Sequence, residues 1–269
     1  MTDISAANAS FWDELCGSGA AQSLGVTDAS AASLARFDRW FFDSYPYLER
    51  HIPFAELAGL RVLEVGLGYG SVSQLLAAAG ALYHGLDIAA GPVAMVRHRL
   101  RQNGLAGEVR QGSILDCPWP DAMFDHVVAI GCYHHTGDMR RALAETHRVL
   151  RPGGVATIMV YSAYSYRRWL RWPWITAKAF VTERLGREAA AASAAERAAY
   201  DAASTGMAAP ETAFISARGL RRMLRGWSRA TIARENIGSG WLLAKVPRRW
   251  LLAAFGPWCG LDLYCRAVK

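Results

Sequence analysis

Between residues 60 and 161 short apolar runs alternate with longer stretches of mixed polarity. Residues 62–65 form an apolar run interrupted by Glu64 alone, the pattern of a parallel strand covered on both faces. Residues 81–88 read as a second strand, ending at Asp87-Ile88. Residues 109–114, 124–131 and 155–160 read as a third, fourth and fifth strand. The stretch 71–79 between the first two strands reads as a helix, and Leu150-Arg151-Pro152-Gly153-Gly154 as a helix stop and turn. This alternation is the mark of a doubly wound parallel sheet. Upstream, residues 31–51 look helical and should be broken at Pro46. Downstream the alternation lapses over 162–212. Arg187 to Ala203 is alanine-rich and predicts a helix. A helix over 215–226 and strands over 230–237 and 261–268 follow. There is no internal repeat.

The loop after the first strand carries the most chemistry. Gly66, Gly68 and Gly70 occupy alternate positions in Glu64-Val65-Gly66-Leu67-Gly68-Tyr69-Gly70, at the start of a helix. Glycine belongs where the backbone turns with positive φ or where a ligand must approach the main chain. A dinucleotide-binding turn would place its last glycine at position 71, which is Ser71. Glu64, two residues before the first glycine, opposes a pyrophosphate but suits a ligand bearing an amino group. The loop resembles motif I of the class I S-adenosylmethionine-dependent methyltransferases, and in particular their small-molecule, type 11-like members. Asp87, 21 positions after Gly66, stands at the end of the neighbouring strand, where a carboxylate can accept both ribose hydroxyls. Ser113 and Ile114 correspond to the adenine-side loop, although similar enzymes often have Asp in place of Ser113. Ile130 ends the fourth strand. Cys132-Tyr133-His134-His135-Thr136-Gly137-Asp138 matches a His-His-x-x-Asp-like stretch of similar enzymes, and 150–154 matches Leu-x-Pro-Gly-Gly. Five elements recur in order over residues 60–161.

The resemblance implies an α/β, doubly wound, Rossmann-like fold. Its seven-stranded, mostly parallel sheet would have an antiparallel last strand. It implies four segments: an N-terminal helical lid (1–55), a cofactor-binding core (56–161), a substrate-cover insertion after the fifth strand (162–212) and a C-terminal completion of the sheet (213–269). It implies S-adenosylmethionine as cofactor, held by Glu64, Gly66, Gly68, Gly70, Asp87, Ile88, Ser113, Ile114 and Ile130. His135 and His134, just past the fourth strand, are candidates for the base that takes the acceptor's proton, with an imidazole pKa of about 6.5 when unperturbed. Tyr161, Tyr164, Tyr166, Arg167 and Arg168 are candidates for contact with the acceptor.

Charge and cysteine content sharpen this picture. The net charge of +7 is uneven: residues 1–150 carry −5 and residues 151–269 carry +12. The basic half therefore suits an acceptor with an anionic group and an apolar part. Arginines among tryptophans also suit a membrane surface, and peripheral membrane contact stays open. The cysteines Cys16, Cys117, Cys132, Cys259 and Cys265 form no metal-like spacing, and no metal is expected. The odd count and the polar first ten residues point to a reduced, cytoplasmic setting. The apolar stretch 241–258 is broken by Lys245, Pro247, Arg248 and Arg249 and is no membrane span.

Several subclasses are disfavoured. The sequence after the fourth strand, Gly131-Cys132-Tyr133-His134, lacks the Asn/Asp-Pro-Pro-aromatic loop of amino-methylating DNA and protein enzymes. It also lacks the Pro-Cys of cytosine C5 enzymes. Asp138 alone is too little for a Mg²⁺ site. A small-molecule acceptor remains, methylated on oxygen in biosynthetic or specialised metabolism, with nucleic acid not expected as a partner. An RNA methyltransferase and a nicotinamide-dependent oxidoreductase are the alternatives.

Overall fold

The computed structural model describes residues 3–14, 18–187, 190–238 and 246–269. Seven strands form one sheet in the order β3-β2-β1-β4-β5-β7-β6. They are β1 (Arg61–Val65), β2 (Leu82–Asp87), β3 (Glu108–Gln111), β4 (Phe124–Ile130), β5 (Leu150–Tyr161), β6 (Arg229–Glu235) and β7 (Asp262–Val268). β1 to β5 pair in parallel. β7 runs antiparallel to both β5 and β6. The chain winds outward from β1 to β3, then crosses back to β4. This places the reversal of strand order between β1 and β4, where open α/β sheets bind ligands beyond the strand ends.

The helices in chain order are α1 (Asp3–Asp13), α2 (Ser18–Ser23), α3 (Ala31–Ser44), α4 (Leu48–His51), α5 (Ser71–Ala78) and α6 (Ala90–Gln102). They continue as α7 (Met139–Val149), α8 (Tyr166–Arg171), α9 (Pro173–Arg184), α10 (Ala194–Ala198), α11 (Ala217–Met223) and α12 (Arg248–Cys259). Each face of the sheet is covered by its own core. Leu63, Val65, Phe124 and Val127 pack on one side. Val62, Tyr83, Val128 and Leu76 pack on the other. Alternation along β1 therefore sends Glu64 to the side of Val62, toward α5.

The N-terminal segment is helical and tied to the core by charge. Arg99 of α6 is fully buried and donates to Asp38 of α3 through two nitrogens, each at 2.9 Å, and to Gln74. Ser71 donates to the same Asp38 at 2.6 Å. Bidentate pairing of this kind is geometrically demanding, so α3 has a fixed seat over the glycine loop. α3 ends at Ser44, two residues before Pro46, as the sequence requires.

Two sequence expectations are corrected. Leu150-Arg151-Pro152-Gly153-Gly154 belongs to β5: Leu150 pairs with Phe124 before a register shift, and the turn expected there is a bulged strand entry. Gly153 has φ +75°, which lets the strand shift register. The helix expected over 187–203 is only the five-residue α10, started by a Ser193–Glu196 capping box; positions 188 and 189 lie outside the described residues. The stretch 241–258 contributes α12, with 241–245 outside the described residues. No helix among the described residues is long and apolar enough to cross a membrane.

Candidate functional site

At the strand-order reversal a cleft of about 260 Å³ opens beyond the ends of β1, β2 and β4. All nine residues expected to hold the cofactor line it: Glu64, Gly66, Gly68, Gly70, Asp87, Ile88, Ser113, Ile114 and Ile130. The three glycines have φ of 79°, 51° and 79°. A Cβ at Gly66 would lie 2.5 Å from the Cys132 Cβ, so both the turn and the packing against the β4 end demand glycine there.

The two carboxylates of the cleft are held differently. Ser73 Oγ and Tyr83 OH both donate to Glu64 Oε2, at 2.6 and 2.7 Å. Burial pushes the Glu64 carboxyl up to about 7; the two hydroxyl donors only partly offset it, and Asp87 adds repulsion. Asp87 takes Leu67 N–H on Oδ2 at 2.7 Å and Ala89 N–H on Oδ1 at 2.9 Å. Burial raises it to about 6 against those backbone donors. Each oxygen keeps a lone pair toward the cleft. A buried anion at the end of each of two adjacent strands, flanked by Leu67, Ile88, Pro92 and Ile114, fits a ligand with a cation, a vicinal diol and a flat apolar ring. S-adenosylmethionine has these three parts, so the residues present fit it.

The other end of the cleft holds His135, Asp201, Tyr161, Met159 and Tyr264. His135 sits in a short 3₁₀ turn, residues Tyr133–His135, directly after β4. Its Nδ1 lies 2.6 Å from the Glu211 carbonyl oxygen. A carbonyl can only accept, so Nδ1 carries the proton and Nε2 presents its lone pair. Nε2 stands 3.5 Å from Asp201 Oδ2, and neither atom has a hydrogen-bond partner among the described residues. Tyr161 OH donates to the other Asp201 oxygen at 3.0 Å. Burial lowers the His135 pKa, opposed by Asp201, and raises that of Asp201, opposed by His135. The imidazole range near 6.5 expected from sequence is thus shifted downward. With His135 neutral and Asp201 ionised, these two facing atoms would both be acceptors and would form a slot for one O–H.

The remaining candidates stand away from the cleft. His134 is buried with neither ring nitrogen partnered, packs 4.2 Å from the Tyr161 ring, and is pushed well below the imidazole range by burial. It supports Tyr161 from behind. Tyr164 OH donates to Glu183, and Tyr166 OH accepts from Gly238 N–H. Arg167 stacks on Tyr200 and donates to the Ala199 carbonyl. Arg168 is buried in an ion pair with Glu196 at 2.9 Å and lies over Phe214. Tyr164, Tyr166, Arg167 and Arg168 therefore brace the insertion, and of the five expected acceptor contacts only Tyr161 lines the cleft. Asp138 caps α7 by accepting Arg141 N–H. No group of three His, Cys, Asp or Glu able to hold a metal occurs among the described residues.

Two contributions were not assigned to particular residues from the sequence. Asp201 lies within the alanine-rich stretch 187–203, whose pattern announced only a helix. α1 brings Ser5, Asn8 and Trp12 to the cleft. Asn8 donates to the His135 carbonyl at 2.6 Å, and the Trp12 ring lies 4.8 Å from that of His135. Glu14 accepts from Ser204, which joins the N-terminal segment to the insertion over the cleft.

Comparison with known proteins agrees with this geometry. A methyltransferase-domain family model matches residues 63–158. A demethylmenaquinone methyltransferase of Tropheryma whipplei is 30% identical over 122 residues, 43% of this chain and 50% of that one. A fatty-acid O-methyltransferase of Mycolicibacterium smegmatis is 40% identical over 102 residues, 37% of this chain and 36% of that one. The chain thus spans half or less of the length of these curated relatives. An S-adenosylmethionine-dependent methyltransferase of Mesorhizobium loti shares the fold at 17% identity, with a TM-score of 0.53 over 84% of this chain and 97% of that one. The matched region runs from β1 to β5 and contains the glycine loop, both cleft carboxylates and the two histidines: this part of the chain matches a methyltransferase domain, and it holds the cleft.

Proposed function

We propose that the protein methylates a hydroxyl group on a small, largely apolar acceptor, with His135 as the base and Asp201 as its partner. The observation that carries this reading is the unpartnered pair of acceptor atoms, His135 Nε2 and Asp201 Oδ2, 3.5 Å apart in the same cleft as Glu64 and Asp87. When bound, S-adenosylmethionine supplies a methyl group on a sulfonium cation. Glu64 faces the cationic amino acid end and Asp87 the ribose. With Asp201 ionised and His135 neutral, an acceptor hydroxyl donates into the slot. His135 takes its proton at Nε2, while Asp201 offsets the imidazolium charge and Tyr161 holds Asp201 in place. Trp12, Trp40, Phe41 and Met159 line the cleft and leave room for an acceptor with an apolar body. Demethylmenaquinone and fatty acids, named for the two relatives, are of that kind.

Two other readings have less support. Arginines of the basic half are engaged internally, Arg168 with Glu196 and Arg222 with Glu183, which weakens the case for an RNA groove. A nicotinamide pyrophosphate would meet Glu64 and Asp87, both anionic when ionised, with no Arg or Lys among the described lining residues.

The cofactor half of the reading is tested by calorimetric titration of S-adenosylmethionine across pH. A cation beside Glu64 favours its ionised form, so binding should release a proton. Affinity therefore rises with pH up to about 7 and falls below it, by up to about tenfold per pH unit while Glu64 alone titrates. Proton uptake on binding, or affinity flat from pH 5 to 8, would remove Glu64 from the site.

A further inference from the structure

We propose that the exposed tryptophan-bearing sides of α8 and α9, together with that of α12, dock the protein on an anionic lipid bilayer. α9 buries Thr176 and turns Phe180 and Glu183 partly inward, yet its outer stripe is Trp174, Lys178, Val181 and Leu185, at helical spacings of 4, 3 and 4. Trp174 is 85% exposed and Leu185 68%. α12 repeats the arrangement. It buries Leu251, while its outer stripe carries Trp250, Ala254 and Trp258, with Trp258 81% exposed. Trp169 and Leu170 of α8 are exposed as well. A helix apolar on its solvent side as well as its core side is a membrane or partner surface.

Charge selects the occupant. Residues 166–187 and 246–259 together hold eight Arg and Lys, of which Arg168 is buried against Glu196, and one acid, Glu183. That acid is spent internally, accepting from Tyr164, Ser216 and Arg222. The described residues of α8, α9 and α12 therefore present tryptophan with a surplus of Arg and Lys, the composition that binds the interface of an anionic bilayer. The two arms are tied to one short segment: Tyr166 accepts from Gly238 N–H, and Arg248 donates to the Ile237 carbonyl. Both also touch the cleft walls. Arg248 donates to the Asp43 carbonyl of α3, whose Trp40 lines the cleft. Arg167 stacks on Tyr200, the neighbour of Asp201. Docking on this face would thus set the cleft beside a lipid phase, where an apolar acceptor resides.

The test is sedimentation of the full chain with vesicles of phosphatidylcholine alone or mixed with phosphatidylglycerol. The expected result is pelleting with the mixed vesicles at low salt, weakened by high salt. Two double variants, Trp174→Ser with Trp258→Ser and Lys178→Glu with Arg249→Glu, should each reduce partition at least about tenfold. Far-ultraviolet circular dichroism and thermal melting verify that both remain folded. Wild-type protein left in the supernatant with mixed vesicles, or variants that pellet like it, would overturn the proposal. So would a dimer in light scattering that the tryptophan variant dissolves, since the face would then belong to a second copy. The readout is binding, so it stands apart from whether the cleft methylates anything.

Discussion

Asp87→Ala is expected to weaken S-adenosylmethionine binding at least tenfold, because it removes the carboxylate proposed to accept both ribose hydroxyls. Hydrogen bonds to a charged group contribute about 1.5–3 kcal/mol each. The substitution also strips Leu67 N–H and Ala89 N–H of their partner, which should loosen the glycine loop at its base. Calorimetry reads the affinity, and a thermal melt separates loss of the site from loss of the fold. Equal affinity in a folded Asp87→Ala protein would show that the ribose is not held by the β2 carboxylate.

The second large effect is expected at the other end of the cleft. His135→Ala should lower turnover by about 10²–10⁴-fold, the range of general-base contributions, with S-adenosylmethionine affinity nearly unchanged. Asp201→Asn should give a smaller loss and a diagnostic shift. Asp201 raises the His135 pKa against the effect of burial, so its neutralisation lets that pKa fall further. The acidic limb of the pH–rate profile should therefore move to lower pH in Asp201→Asn while the plateau drops. A profile that keeps its acidic limb in place would assign Asp201 a purely structural part. Full turnover in His135→Ala would leave orientation alone to drive transfer.

How far the sequence disclosed this site depends on the range of the interactions involved. Glu64, the glycines and Asp87 were legible because each acts from a strand end whose geometry is fixed by neighbours a few residues away. Residues 62–65 are apolar for burial, and Gly66 must turn with positive φ under Cys132. Their spacing is therefore a local signature of the cleft. The acceptor end obeys no such rule. His135 and Asp201 meet across 66 residues of sequence, and Asp201 sits in a loop after the five-residue α10. Nothing in its alanine-rich surroundings has a period that points inward. The arginines 167 and 168 misled for the opposite reason: charge and aromatic rings suggested a ligand, while Glu196, Phe214 and Tyr200 supplied partners within the chain. α1 carries polar and small residues with one aromatic pair, and its role follows from Asn8 and Trp12 meeting His135 in space. β5 was read too short because Pro152, Gly153 and Gly154 signal a turn, whereas the β4 pairing absorbs them as a bulge.

The most direct test of the central claim is transfer of a tritiated methyl group from S-adenosylmethionine into cell extract, followed by partition into organic solvent. Label is expected in an organic-soluble product, carried on an ether or ester oxygen, and is expected to be lost with His135→Ala. Label confined to water-soluble amines or RNA, or no transfer by a protein that binds S-adenosylmethionine, would contradict it.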